Sequence, residues 1–176
     1  MNDAFEYVDK FNEFFLNNLE DFDDLRIYRF EDFDLKWLKR LMAFGEAAFG
    51  EDSFDVFTVV TQIYYGNIYL LREENDHPHI LGLAAFTRGW DRDDLVYLSD
   101  FAISKDARGQ AIGTQFLKQV LGEIKNQGFK TVRLTVEPDN DPAVALYKKL
   151  GFEIIDRVED LYGEGAHRYI MEKNQG

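Results

Sequence analysis

Cysteine is absent from the 176 residues. Disulfides, thiolate metal sites and a cysteine acyl-enzyme are therefore excluded. Histidine is scarce: His77, His79 and His167 stand in or near loops, with no metal-ligand spacing. Positive charge is outnumbered, 20 Lys and Arg against 33 Asp and Glu, for a formal net charge of −13. Such a surface repels nucleic acid and anionic membranes and attracts cations. No early apolar run is long enough for a signal peptide or a membrane span, and the N-terminus is acidic instead. The expectation is a cytoplasmic protein that binds neither nucleic acid nor membrane and holds no metal. There is no internal repeat and no low-complexity segment. What is present, 45% hydrophobic and 15% aromatic residues, suffices for one domain with a real core.

Residues 2–20 carry Phe5, Val8, Phe11, Phe14, Phe15 and Leu19 at helical spacing, which predicts an amphipathic helix ended by the acidic run 20–24. Packing on the domain's own core is its plainest role; a lid or a homodimer contact is the functional alternative. The chain thus divides into an N-terminal helical extension, 1–24, and a domain, 25–176. Within the domain, 25–30 alternates as a strand. A helix over 34–49 turns Leu35, Leu38, Leu41, Met42 and Phe44 or Ala48 inward. Ser53 can cap a helix over 54–65. Strands over 67–72, 80–87 and 95–103 form an antiparallel meander, with Gly82, Ala84 and Ala85 allowing close packing. Strands over 153–158 and 166–172 close the chain.

The stretch from Leu95 to Phe152 is the most informative. After the strand 95–103 and a polar loop, Gly109-Gln110-Ala111-Ile112-Gly113 opens a helix. Ile112, Phe116, Leu117, Val120, Leu121 and Ile124 share one face of it, and Gly128 stops it. A strand over 131–136 follows. The next helix begins at Asn140-Asp141-Pro142, where Asp141 can cap and Pro142 fits the first turn. It buries Ala143, Leu146, Tyr147 and Leu150 and stops at Gly151. A glycine-rich turn between strand and helix is an anion cradle, because free N–H groups and the positive helix end face the same point. Two familiar cradles are excluded: Thr114 stands where a P-loop needs Lys, and GxGxxG is absent.

Arg108-x-x-Ala111-x-Gly113 after a strand, followed by Asn140-x-x-Ala143-x-x-Leu146-Tyr147 and Leu150-Gly151-Phe152, resembles the GNAT family of N-acetyltransferases. The resemblance covers residues 25–173. It implies an α/β fold, the GNAT fold: a mixed, mostly antiparallel sheet flanked by helices, with parallel strands where the first core helix crosses. It implies acetyl-CoA as cosubstrate. Its pantetheine arm would pair with the edge of the fourth strand at Phe101, Ala102 and Ile103, where the fourth and fifth strands splay. Its pyrophosphate would lie on the backbone amides of Arg108, Gly109, Gln110, Ala111, Ile112 and Gly113, with Thr114 beside them and Arg108 and Lys105 adding charge. The family usually has Gly where this chain has Ala111; helical geometry would tolerate it. Asn140 and Ala143 would contact the cofactor, and Tyr147 would be the general acid. The helices over 34–49 and 54–65 would cover the acceptor pocket, near Glu46, Glu51, Asp52 and Asp55, with Trp90 as a wall or a packing plug.

Acetyl transfer to an amine needs a held thioester, a polarised carbonyl, a deprotonated amine and a proton for the departing thiolate. Asp100, a carboxylate in an otherwise apolar strand, can bind an ammonium or accept its proton through water. Glu137 is the reserve base. The run Ser99-Asp100-Phe101-Ala102-Ile103 also resembles aminoglycoside-acetylating members, whereas the turn 159–165 and the run after it resemble members that act on peptide amines. The expected function is acetyl transfer to a primary amine by direct attack in a ternary complex. The alternative is a GNAT-fold module that binds acyl-CoA without turnover.

Overall fold

The computed structural model describes residues 22, 24–30, 35–50, 53–73, 79–109 and 111–176. The helix expected over 2–20 lies outside them. In chain order the elements are β1 (Leu25–Arg29), α1 (Leu35–Phe49), α2 (Val56–Tyr65), β2 (Asn67–Glu73), β3 (Ile80–Arg88), β4 (Leu95–Ile103), α3 (Ile112–Asn126), β5 (Thr131–Val136), α4 (Asp141–Lys149), β6 (Glu153–Val158) and β7 (Arg168–Asn174). The strands make one sheet in the order β1-β2-β3-β4-β5-β7-β6. Each pair is antiparallel except β4 with β5. Parallel neighbours need a long crossover, and α3 is that crossover.

Alternation along the strands feeds two helical layers. Phe116, Leu117, Val120, Leu121 and Ile124 of α3 pack on Val96, Leu98, Val132, Leu134 and Met171. On the opposite face, Trp37, Leu38, Leu41 and Phe44 of α1 and Val59 of α2 pack on Ile68, Leu70, Leu83, Ala85 and Ala102. The inward stripe of α1 is centred on Trp37, Leu41 and Phe44. At 3.6 residues per turn, that leaves Leu35 about 150° from the centre of the stripe, close to the opposite face. It is 57% exposed, not inward as its position in the pattern suggested.

Three element ends differ from expectation. The cap of α2 is Asp55, whose carboxylate accepts from Thr58 N at 2.7 Å and is held below its ordinary pKa by that bond. Ser53 stands ahead of the cap, and Phe54 leaves the helical path to pack on Phe49, ring centroids 5.9 Å apart. The cap of α4 is Asn140, not Asp141: its Oδ1 accepts from Ala143 N at 3.2 Å, which puts Asp141 in the first turn beside Pro142. The strand β7 begins at Arg168 because Ala166 N still bonds Gly163 O, at 2.9 Å, as part of the turn.

Candidate functional site

The site begins at an extra residue in β4. Ala85 pairs with Asp100 but Phe86 pairs with Leu98, so Ser99 is a bulge. The insertion changes the phase of the strand: Val96 and Leu98, then Phe101 and Ile103, face the α3 layer, while Ala102 faces α1 and α2. Pairing with β5 runs from Leu95↔Thr131 to Leu98↔Leu134 and stops there. Among the described residues nothing pairs with the β5-facing edge of β4 past Ser99, and that edge is bare. The expected splay is present, and it opens at the bulge rather than first at Ala102 and Ile103.

At the end of β4 the chain passes through a 3-10 turn, Lys105–Ala107, and reaches the α3 N-terminus. Gly109 has φ +81° and Ala111 has φ +59°, both left-handed. Ala111 is the N-cap of α3. The expectation that it sits in helical geometry is therefore wrong; it holds a conformation that costs an L-residue about 1–2 kcal/mol and suits Gly. The turn it makes starts the helix abruptly. The amides of Ile112, Gly113 and Thr114, in the first turn, have no acceptor within the helix and face outward along its axis. A Cβ on Gly113 would come within 3.1 Å of Ile103 Cγ1, so strand end and helix start approach closely there. Arg108 is exposed at this corner, and its Nε donates to Ile103 O at 3.0 Å. That bond ties the guanidinium to the strand end. Gln110 lies outside the described residues.

The other jaw is α4. Gly151, φ +86°, ends it: Gly151 N bonds Lys148 O at 3.0 Å, and Phe152 N bonds Tyr147 O at 3.0 Å. The same closure ends α3 at Gly128. In α4 it carries the accompanying apolar contact, Phe152 against Tyr147 with centroids 5.7 Å apart. Phe101 packs on Tyr147 from the strand side, 6.5 Å away, and on Phe116, 6.1 Å away. Leu150-Gly151-Phe152 thus has a physical meaning, which is to fix the Tyr147 ring. Burial, with some help from the nearby Tyr97, holds its phenol protonated far above the ordinary range. Ala143 is half-buried one turn earlier.

Tyr147 and Asp100 meet in a cleft of about 250 Å³, which Phe49, Phe101, Glu137, Asn140 and Arg168 also line. Burial raises the Asp100 pKa, and a hydrogen bond from Ser99 partly offsets it. Among the described residues no cation pairs with Asp100. Glu137 is engaged by Arg168 Nη2 at 3.1 Å, which makes it the poorer base. Trp90 is neither wall nor plug: it is 98% exposed. Glu46 and Asp55 are exposed, and Glu51 and Asp52 lie outside the described residues.

Several site residues were not anticipated. Tyr97 Oη lies 2.8 Å from Thr135 Oγ1 and 3.2 Å from Tyr162 Oη, which is itself 3.3 Å from Thr135. Burial pushes the Tyr97 phenol up to about 12. Tyr162 belongs to the β6–β7 turn, and Arg168 lies over its ring at 5.1 Å. The turn therefore folds back over the sheet where β4 and β5 part. Only alternation in β4 hinted at Tyr97, and nothing local marked Tyr162. On the α3 layer a groove of about 1070 Å³ runs from Thr114 past Lys118 and Lys125 to Lys149 and Lys173, a basic strip on an acidic protein.

A family model described as acetyltransferase (GNAT) family matches residues 26–152. Over 80 residues the chain is 38% identical to N-alpha-acetyltransferase 30 of Schizosaccharomyces pombe, which is 44% of this chain and 53% of that protein. Over 64 residues it is 41% identical to thialysine N-epsilon-acetyltransferase of Mus musculus, covering 36% of this chain and 38% of that one. The chain thus spans about half the length of the first of these relatives and less of the second. In fold it resembles a GNAT family acetyltransferase from Elizabethkingia anophelis with acetyl-CoA bound, at TM-score 0.67 and 18% identity over 86% of this chain and 99% of that one. The matched span starts in β1 and ends where Phe152 closes on Tyr147, and by it the chain belongs to the GNAT acetyltransferase family.

Proposed function

We propose that the protein transfers the acetyl group of acetyl-CoA to a cationic primary amine, by direct attack with donor and acceptor bound together. One observation carries the reading: a protonated, buried phenol and a largely buried carboxylate with no cation partner among the described residues line one cleft at the bare edge of β4. The residues present fit the donor. The first-turn amides of α3 suit a pyrophosphate, the bare edge from Ser99 to Ile103 suits an amide-bearing arm, and the lysine groove suits further phosphate. Acetyl-CoA would supply the activated acyl group.

The protein's own residues have three tasks. The backbone of β4 beyond the bulge holds the thioester and polarises its carbonyl through an N–H. Asp100 draws the acceptor's ammonium, pKa about 10, and takes its proton directly or through water. Its raised pKa makes it the stronger base. Tyr147 returns a proton to the departing thiolate. Asn140 caps α4 and keeps the Tyr147 helix in place.

Two acceptor classes remain, peptide or protein amines (an N-terminus or a lysine) and small polyamines or aminoglycosides. The likeness to N-alpha-acetyltransferase 30 of Schizosaccharomyces pombe and the folded-back β6–β7 turn support a peptide α-amine. The test is thiol release from acetyl-CoA with short peptides bearing free N-termini, a lysine peptide, spermidine and an aminoglycoside. Release with one class establishes the transfer and fixes the acceptor. Tight acetyl-CoA binding without release from any of them would favour a module that binds acyl-CoA without turnover.

A further inference from the structure

The bulge that opens β4 is held from another layer. Gln62, in the middle of α2, donates through Nε2 to Ser99 Oγ at 2.8 Å and to Thr87 Oγ1 at 3.0 Å. Ser99 Oγ in turn donates to Ala85 O at 3.1 Å, and Ala85 is the ladder partner of Asp100. A serine hydroxyl has one proton and two lone pairs. Occupied by the Gln62 amide, the Ser99 oxygen keeps its proton for β3 or for the adjacent Asp100 carboxylate. Gln62 is itself fitted closely. A Cβ on Gly66 would stand 2.1 Å from Gln62 Oε1, and Gly66 N bonds Gln62 O at 3.0 Å. Gln62 and Asp100 also face one narrow cavity of about 10 Å³, whose other walls are Leu41, Phe54, Val59, Ile68, Leu83, Ala85 and Thr58. The lining is mostly apolar, so loss of the amide would leave Ser99 Oγ one partner short.

We propose that Gln62 is a positioning residue for acetyl transfer: through Ser99 it pins the β4 bulge, and so aims the Asp100 side chain into the acceptor cleft. The inference rests on the acetyltransferase reading and on Asp100 as the group that meets the amine. Gln62 touches no reacting atom. Its effect belongs to the acceptor side, because the pyrophosphate cradle lies beyond the far end of β4 and the strand edge offered to the donor's arm is backbone, not the Ser99 hydroxyl.

The test uses Gln62→Glu, which keeps the shape and removes the donor, together with Gln62→Leu, Ser99→Ala and Ser99→Thr, each checked for an intact thermal melt. Amide exchange over 99–101, followed by NMR, requires no acceptor. Gln62→Glu should speed it, and unchanged exchange overturns the staple. In turnover, Gln62→Glu, Gln62→Leu and Ser99→Ala should each lower kcat about tenfold while the acetyl-CoA Kd stays within about twofold, as expected for a misaimed group. Ser99→Thr, which keeps the hydroxyl, should restore most of the rate. The Gln62→Leu/Ser99→Ala double variant should be no slower than either single one, because the two act in series. Unchanged kcat, or a double variant equal to the product of the singles, overturns the positioning role. A wild-type protein that acetylates no amine overturns the transfer reading instead, and the exchange rates still decide the staple.

Discussion

The proposed donor and acceptor halves of the cleft are built on different plans. The donor half is made of backbone. Its parts are a left-handed Ala111, a Gly113 pressed against Ile103, the bare edge of β4 and the glycine closure that fixes Tyr147. Most of these lie within two short runs, 108–114 and 140–152. The acceptor half is made of side chains from distant places: Gln62 of α2, Asp100 of β4, Thr135 of β5, Tyr162 of the last turn and Arg168 of β7. Ser99 and Gln62 are 37 positions apart, and Tyr97 and Tyr162 are 65 apart. Backbone conformation must be written in local sequence, so a donor site has a motif. A constellation of side chains can be assembled in many ways on one scaffold, so the acceptor site has none.

If the halves are separable in this way, their variants should separate too. The largest effect belongs to Tyr147→Phe, at the seam: kcat should fall about 10²–10³-fold, the usual weight of a general acid, with acetyl-CoA Kd unchanged by calorimetry. Unchanged turnover would remove Tyr147 from the chemistry. Next comes Asp100→Asn, expected to lower kcat/KM for the amine by about 10–10²-fold and to leave donor affinity alone. The same variant should be more stable at neutral pH. A carboxyl whose folded pKa is raised binds its proton more tightly when folded. Its contribution is therefore greatest at low pH and is lost as pH rises above the ordinary value of 3.8 through the raised one. The melting difference between Asp100→Asn and wild type should widen across that window and then level off; a constant difference would mean that Asp100 is not buried as described.

A smaller change is expected from Gly113→Ala, which crowds Ile103 and should weaken acetyl-CoA about tenfold, some 1.4 kcal/mol, without altering the amine's KM. Tyr162→Phe inverts that pattern. It removes hydrogen bonds to Tyr97 and Thr135 and should raise the amine's KM about threefold, the worth of one modest bond, with donor binding untouched. A shift in donor affinity here would break the separation. The smallest is Ala111→Gly. Relief of the left-handed strain is partly cancelled by the freer unfolded chain, leaving about 0.5 kcal/mol of added stability by denaturant titration.

Much of the fold was legible because its elements are long and strongly periodic. The α3 stripe and Gly128, the alternating strands and the two-motif run all appear where the residues placed them. The errors cluster at element ends, where one side chain competes with its neighbour for the same amide: Asp55 over Ser53 and Asn140 over Asp141. Ala111 was misjudged for a related reason, since composition tells that a small residue is present but not the sign of its φ. Asp100 could be singled out because a carboxylate interrupts an apolar strand. Tyr162, Arg168 and Gln62 could not, since their importance exists only once β7 and α2 are brought beside β4.

The outer strand β6 has one further consequence. Between Ile154 and Asp156 its register with β7 slips by a residue, and Glu153, Asp156 and Arg157 stand in the same short strand. A free sheet margin invites a stranger's backbone to add on, and an interrupted, charged one does not. Ile154 and Ile155 are 39% and 51% exposed on this margin, enough grease to glue chains together were the ladder straight. The kink therefore makes this margin a poor template for a second chain, while the hairpin it belongs to still brings Tyr162 back to Tyr97 and Thr135.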